Sequence, residues 1–351
     1  MVWFFLACVL IWGIGHFANV PKNLRVSLIA ILYLAIVLAL LVLPASSGLN
    51  AWIGGTVGTW LFLGGLVVII WAYSQAVGLA KTRAKNVEPQ PGDKPFSTSQ
   101  LERYARHIVL REIGGTGQAR LKNAKVLVVG AGGLGSPALV YLAAAGVGTI
   151  GVIDDDIVEN SNLQRQVIHS DGAIGTPKVF SAQAAMEAQS PSVIVHPCNR
   201  RLNEGDAAPL IAAYDLVLDG SDNFETRYLV NRVCTDLGKP LIGAALTQWE
   251  GQISVYDPAN GTPCYQCIFP QAPDPGLAPS CAEAGVLGPL PGVVGSLMAV
   301  EAVKAICGAG EGLRGRMLLY DALYADTRII ALKSRPDCPV CGNAAKDRAN
   351  N

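Results

Sequence analysis

The sequence predicts an α/β, doubly wound fold, preceded by three transmembrane helices and closed by a cysteine-knuckle C-terminal part. Three observations predict it. Residues 1–80 hold only two charges, Lys22 and Arg25, and contain three apolar runs at 2–18, 26–43 and 52–73. An apolar strand at 125–130 (KVLVVG) runs straight into Gly130-Ala131-Gly132-Gly133-Leu134-Gly135, then an Ala-rich helical stretch and a second strand ending in Asp154. Two Cys-x-x-Cys pairs follow, Cys264/Cys267 and Cys338/Cys341.

The anchor comes first. A helix crossing the hydrocarbon core needs about 20 apolar residues, with about 17 as the lower edge, so each run can span. Gly54, Gly55, Gly58, Gly64 and Gly65 in the third run are tolerated in membrane helices and permit close helix contact. Basic residues mark the inner side. Lys22 and Arg25 lie between runs one and two, Lys81, Arg83 and Lys85 follow run three, and the link 44–50 is uncharged. The expected placement is the inner (cell) membrane, multi-pass, N-terminus outside and the body after residue 80 cytoplasmic. Trp52, Trp71 and Tyr73 sit where interfacial aromatics belong. A cleaved signal peptide is the rival for run one, but it lacks a charged start other than Met1 and has no clear small-x-small cleavage site before Pro21. Residues 81–100 read as a linker, 101–343 as the globular domain and 344–351 as a tail. The apolar stretch 286–307 is not read as a fourth span, because Pro289, Pro291, Glu301 and Lys304 mark a packed helix.

Charge and cysteine content narrow the class. The 351 residues carry 27 basic and 27 acidic side chains. Without Lys22 and Arg25, the part after residue 80 has 25 basic against 27 acidic, a formal −2. That balance gives no electrostatic reason for nucleic-acid binding. Four of nine cysteines stand in paired knuckles, which points to metal ligation in a reducing compartment instead of a disulfide framework.

The body, with a core at about 120–260, has the order strand, glycine turn, helix, strand, acid. Asp154 follows Gly135 by 19 residues. Glycines let the backbone approach phosphate oxygens, a helix N-terminus offers free N–H groups, and the acid accepts from ribose hydroxyls. The pattern is Rossmann-like and fits NAD, FAD and ATP alike; the same turn without a ligand is the bland alternative. Later segments discriminate. Ser161-Asn162-Leu163-Gln164-Arg165-Gln166 follows Asp154, Lys178 opens a helix at 179–189, and a strand at 214–218 leads into Asp219-Gly220-Ser221-Asp222-Asn223, with Arg227 one turn beyond. Hydride transfer needs a nicotinamide pocket with an acid or base beside it, and none is evident. Phosphate chemistry needs cations and a carboxylate for magnesium, and Arg165, Lys178 and Asp222 are of those types. Lys178 at a helix start opposes the helix dipole, which favours a ligand-facing role.

These segments resemble the MoeB/ThiF/HesA family, which is similar to ubiquitin-activating enzymes, and within it the molybdopterin-synthase adenylyltransferase type. The matching pieces are Arg103-Tyr104-Ala105-Arg106, Gly130–Gly135, Asp154, Ser161–Gln166, Pro177-Lys178, Asp219–Asn223, Glu250-Gly251-Gln252, Cys264–Cys267, Cys281–Gly288 and Cys338–Cys341. They fall in family order over roughly 98–343. The resemblance implies a Rossmann-like sheet binding ATP, with a zinc- and carrier-binding part at about 260–343. It implies that Gly130, Gly132, Gly133, Gly135, Asp154, Ser161, Asn162, Leu163, Gln164, Arg165, Lys178, Asp222 and Asn223 line the ATP site. Asp154 would hold the ribose, Asp222 magnesium, and Arg165 and Lys178 the phosphates. Arg106 would reach the neighbouring subunit's site, since the family forms homodimers.

The implied reaction is adenylation of the C-terminal glycine of a ubiquitin-like sulfur carrier ending in Gly-Gly. A carboxylate is already ionised near neutral pH, so no general base is needed. Its obstacle is repulsion from the triphosphate, so positioning and charge stabilisation dominate, and one lost cation costs about 2.7–4 kcal/mol. His107, His169 and His196 then need no role, and His169 reads as packing.

Cys264, Cys267, Cys338 and Cys341 suit closed, tetrahedral, structural zinc. Gly261 and Gly342 fit tight knuckle turns. Cys281, after a Pro-rich loop, is a candidate nucleophile; family members that bond the carrier covalently use this position. Cys8, Cys198, Cys234 and Cys307 read as buried apolar residues. The chain ends ten residues after Cys341, so a separate sulfur donor is expected. Rival readings are a thiamine-pathway adenylyltransferase using Cys281, an NAD-linked oxidoreductase and a non-catalytic membrane scaffold.

Overall fold

The computed structural model describes residues 2–18, 20–44, 47–85, 96–274 and 281–342, so half of the expected linker, residues 275–280 of the Pro-rich loop and the tail lie outside the described residues. Two compact units divide at 94/95.

The first unit contains α1 (Val2–Phe17), α2 (Lys22–Val42), α3 (Gly48–Ile53) and α4 (Val57–Lys85). Lys22–Val42 and Val57–Gln75 are long and apolar enough to cross a membrane, while the apolar part of α1 is shorter. The third run, expected as one helix over 52–73, is broken. Gly54 and Gly55 take φ of +69° and +86°, a region open to glycine at no steric cost, and α4 then continues to Lys85. Trp60 covers the break. Its fully buried indole N–H donates to the Gly54 carbonyl at 3.0 Å, and Phe4 packs edge-on at 5.1 Å. Tyr33 on α2 donates its hydroxyl to the Trp60 carbonyl at 2.6 Å. A Cβ at Gly64 would lie 2.2 Å from that hydroxyl, so glycine there permits α2 to approach α4.

The second unit opens with α5 (Thr98–Ile108) and α6 (Gly114–Asn123). A capping box of Ser97 and Gln100 starts α5. Then come β1 (Lys125–Val129), α7 (Gly135–Ala145), β2 (Thr149–Asp154), α8 (Lys178–Gln189), β3 (Ile194–Asn199), α9 (Glu204–Ala212), β4 (Leu216–Asp219), α10 (Phe224–Asp236), β5 (Leu241–Leu246) and β6 (Glu250–Tyr256). The chain continues through α11 (Tyr265–Ile268), α12 (Cys281–Ala284), α13 (Pro289–Cys307), β7 (Arg316–Asp321) and β8 (Asp326–Ala331).

All eight strands form one sheet in the order β3-β2-β1-β4-β5-β6-β7-β8. β1 to β5 are mutually parallel, and β6, β7 and β8 add antiparallel. Parallel strands covered on both faces are apolar throughout, which explains KVLVV. Alternate side chains enter opposite cores. Val126 and Val128 join Leu139, Leu142 and Met298 under α7 and α13. Leu127 and Val129 join Ile211, Val217 and Val230 under α9 and α10. The apolar 286–307 stretch is thus a core helix, α13, half buried against α7, β5 and β6. Glu301 on it pairs with Lys304 at 2.6 Å and accepts the Leu313 N–H at 2.7 Å. Cys234 and Cys307 are buried as expected, but Cys8 and Cys198 are only half-buried.

The winding reverses between β1 and β4. Such a reversal leaves a crevice at the carboxyl ends of the strands, where ligands bind in open α/β sheets.

Candidate active site

The glycine turn fills that crevice. Gly130 has φ +94° and lies so near β4 that a Cβ would meet the Gly220 carbonyl oxygen at 3.2 Å. At Gly135 a Cβ would stand 1.9 Å from the Gly130 oxygen. The turn is therefore tight enough to bring the N-terminus of α7 to its tip. Asp154 ties it down: Ala131 N–H donates to one carboxylate oxygen at 2.7 Å and Asp156 N–H to the other at 2.8 Å. Burial raises the Asp154 pKa, against the pull of those two bonds and of Lys178. The sequence reading gave this carboxylate to a ribose; in the fold it also organises the turn.

The segment after β2 lies beside the turn. A Cβ at Gly133 would lie 3.0 Å from Pro291 and 3.9 Å from the Arg165 Cγ, so Arg165 and the start of α13 flank the glycines. Arg165 donates to the Ser161 carbonyl at 3.0 Å. Asn162 accepts from Glu159 N–H at 3.0 Å, and Ser161 donates to the Glu159 carboxylate at 3.2 Å. Gln164 packs against Gly288, Leu163 is half-buried, and the buried Gln166 lies next to Gly132. Lys178 is 5% exposed and pairs with Asp156 at 2.6 Å. The conflict between this lysine and the helix dipole is thus relieved within the chain, by Asp156.

At the end of β4, buried Asp219 accepts from Ser221 N–H at 2.9 Å and from its hydroxyl at 2.6 Å. Buried Arg227 donates to the Ala244 carbonyl at 2.8 Å and to the Ser221 carbonyl. Asn223 caps α10 by accepting Thr226 N–H at 2.9 Å, which gives it a structural duty. Asp222 stands exposed between them.

Gly130, Gly132, Gly133, Gly135, Asp154, Arg165 and the Gly220 loop therefore meet at one place, with Lys178 joined through Asp156. Arg106 does not join them within one chain. It is exposed on α5, whose Tyr104 packs under Gly146 at the amino end of β2, opposite the turn. The Cys281 side chain lies outside the described residues; its helix α12 is tied by Gln248, which donates to the Ala284 carbonyl at 2.7 Å. His169, expected as packing, instead bonds the turn: one ring nitrogen lies 3.0 Å from the Ala131 carbonyl and the other 2.9 Å from Ser181 Oγ. Burial, with help from nearby Lys178, lowers its pKa. His169, Asp219 and Arg227 are the site-shaping residues to which sequence reasoning assigned no role. Asp219 and Arg227 bracket the turn after β4 in sequence, but they bond its backbone and not each other, which no local pattern announces.

The cysteines form a separate buried cluster. Their sulfurs stand 3.9 Å (Cys264–Cys267), 3.6 Å (Cys264–Cys338) and 3.2 Å (Cys267–Cys341) apart, too far for disulfides. Tetrahedral ligation at about 2.3 Å sets sulfurs about 3.8 Å apart, so the donor set fits an ion of that kind. The Cys264 thiol and the Arg335 N–H lower the Cys267 pKa, while the same contact and burial raise that of Cys264.

The ThiF family model matches residues 104–340. The SAMP-activating enzyme E1 of Haloferax volcanii is 50% identical over 252 residues, 72% of this chain and 93% of that one. The sulfur carrier protein adenylyltransferase of Thermus thermophilus is 50% identical over 257 residues, 72% of this chain and 95% of that one. Among solved structures, Escherichia coli MccB crystallised with ATP is similar at a TM-score of 0.58 and 25% identity, covering 65% of this chain and 69% of that one. The matched family segment contains the glycine turn, Asp154, Arg165, Lys178, Asp222 and three of the four clustered cysteines, Cys264, Cys267 and Cys338, with Cys341 the next residue after its end, and the chain accordingly belongs to the ThiF family, as an adenylyltransferase.

Proposed function

We propose that this adenylyltransferase activates the C-terminal glycine of a ubiquitin-like sulfur carrier ending in Gly-Gly. A carboxylate oxygen of that glycine attacks the α-phosphorus of ATP, the bond to the bridging oxygen breaks, and pyrophosphate leaves. The observation that carries the reading is the turn at Gly130–Gly135, drawn against the ends of β1 and β4 with Arg165 beside it. Free N–H groups at the start of α7 suit phosphate, and Arg165 and Lys178 bring the positive charge that offsets carboxylate–triphosphate repulsion. A cavity of about 260 Å³, lined by Leu246, Thr247, Gln252, Tyr320 and Arg328, opens at the carboxyl end of β5. β5 is parallel to β4, so the cavity is at the same end of the sheet as the turn, where an extended tail would approach. The name of the Thermus thermophilus relative, sulfur carrier protein adenylyltransferase, supports a sulfur carrier as substrate.

Asp222 would hold magnesium, which when bound shields triphosphate charge. The four cysteines would hold a zinc ion that fastens the C-terminal segment to the body. In a homodimer Arg106 would serve the neighbour's site. The first unit would anchor the enzyme in the inner membrane through three spans, N-terminus outside and catalytic body cytoplasmic. The resemblance makes a molybdopterin-synthase carrier the first candidate, supplied by a separate sulfur donor; a thiamine-type carrier linked through Cys281 is the second.

The test is ATP–pyrophosphate exchange by the full-length protein in detergent, with each carrier. Exchange that requires a carrier and vanishes in Asp222→Ala is expected. Absence of exchange with every Gly-Gly carrier, in folded protein, would refute the proposal.

A further inference from the structure

We propose that His169 is a positioning residue for the nucleotide, holding the Ala131 carbonyl of the glycine turn so that the next N–H faces the crevice. The proposal rests on the reading of the turn as the ATP site. His169 is buried between the turn and α8, with Nε2 3.0 Å from the Ala131 oxygen and Nδ1 2.9 Å from Ser181 Oγ. A carbonyl can only accept, so Nε2 carries the hydrogen. Burial and Lys178 favour the neutral ring, and a neutral ring then accepts from the Ser181 hydroxyl through Nδ1.

The geometry gives this bond a directional consequence. A peptide unit is planar and trans, so its N–H points opposite to its C=O. His169 draws the Ala131 carbonyl inward, and the N–H of the same unit, that of Gly132, is thereby turned away from the His169 side, toward the half-exposed tip of the turn. Asp154 fixes the preceding unit by accepting Ala131 N–H at 2.7 Å. Both polar backbone groups of Ala131 are thus held by side chains from different elements. Ser136 Oγ also reaches the Ala131 oxygen, but at 3.4 Å, a weaker contact by its length. Ser181 stands one turn beyond Lys178 on α8, so one helix supports both the turn and the cation.

Two variants separate positioning from packing. The amide nitrogen of His169→Gln can stand where Nε2 stands, whereas that of His169→Asn reaches only the place of Nδ1. ATP affinity is measured by calorimetry on the full-length protein in detergent, alongside thermal unfolding. Dissociation constants within twofold of wild type for Gln and raised about tenfold for Asn are expected, the factor that one buried carbonyl left without its donor produces. His169→Asn should also unfold a few degrees below His169→Gln, because the Ala131 carbonyl loses its donor, so affinities are measured where both variants are fully folded. Equal ATP affinity in fully folded Gln and Asn overturns the proposal. A wild type that binds no ATP overturns the ATP-site reading itself, and the proposal with it.

Discussion

Alanine at Gly135 and alanine at Gly148 place the same atom against the same kind of obstacle at opposite ends of the sheet. At Gly135 the new Cβ would lie 1.9 Å from the Gly130 oxygen, and at Gly148 it would lie 1.8 Å from the Lys122 oxygen. Both distances are about 1 Å short of the 3.0 Å that Cβ atoms keep, and neither obstacle is a side chain that can swing aside. The backbone must shift in both cases, at a cost of about 1–3 kcal/mol typical of overpacking. Gly148 sits where the chain enters β2, far from the crevice, whereas Gly135 closes the turn proposed to face phosphate. A misplacement of about 1 Å in a reacting geometry costs on the order of 100-fold in rate, or about 2.7 kcal/mol of transition-state stabilisation. Thermal unfolding should therefore show similar losses for the two variants. ATP–pyrophosphate exchange, corrected for folded fraction, should fall about 100-fold in Gly135→Ala and stay within about threefold of wild type in Gly148→Ala. Equal activity losses in both, or a Gly135→Ala enzyme of normal rate, would refute the placement of the site.

Arg227→Met should lower urea-derived stability by about 2–4 kcal/mol, because the Ala244 and Ser221 carbonyls each lose a donor. Chelation, or Cys338→Ser, should remove about one zinc per chain by atomic absorption and lower the unfolding temperature by roughly 10 °C; unchanged metal content in Cys338→Ser would count against the cluster as a site. His169 has a depressed pKa in the fold, so the unfolded chain binds its proton more readily. That share of stability is complete above the ordinary histidine value of about 6.5 and drains away as pH falls through the lower, folded value. Unfolding temperature should drop on acidification in wild type, and His169→Gln should flatten that slope.

Much of the catalytic body is legible because its signals are local. KVLVV, the glycines and Asp154 lie within 30 residues of one another, and strand, turn and helix there follow from neighbouring residues alone. The cysteine cluster is legible for a different reason, since few arrangements other than a shared ion use two Cys-x-x-Cys pairs. What resists reading is set by distant partners. His169 meets a carbonyl 38 residues upstream, and Arg227 meets one 17 residues downstream; a histidine or arginine carries no mark of such a partner. The counter-charge that Lys178 meets in the fold, Asp156, is 22 residues away and leaves no mark beside it in the sequence. The break at Gly54–Gly55 escaped because hydropathy tallies composition and is blind to an indole that lies over a carbonyl.

That break has a consequence for how the first unit could be replaced. In hydrocarbon, the surroundings proposed for this unit, an interrupted helix exposes dipoles that no solvent can answer; Trp60 answers one of them at Gly54, and Tyr33 hangs on the Trp60 carbonyl in turn. The segment is then a miniature fold with its own internal grammar, not a greasy tether. A tether can be swapped for any other of equal length, whereas this one should fail when Trp60, Tyr33 or Gly64 is exchanged for a residue of equal hydropathy.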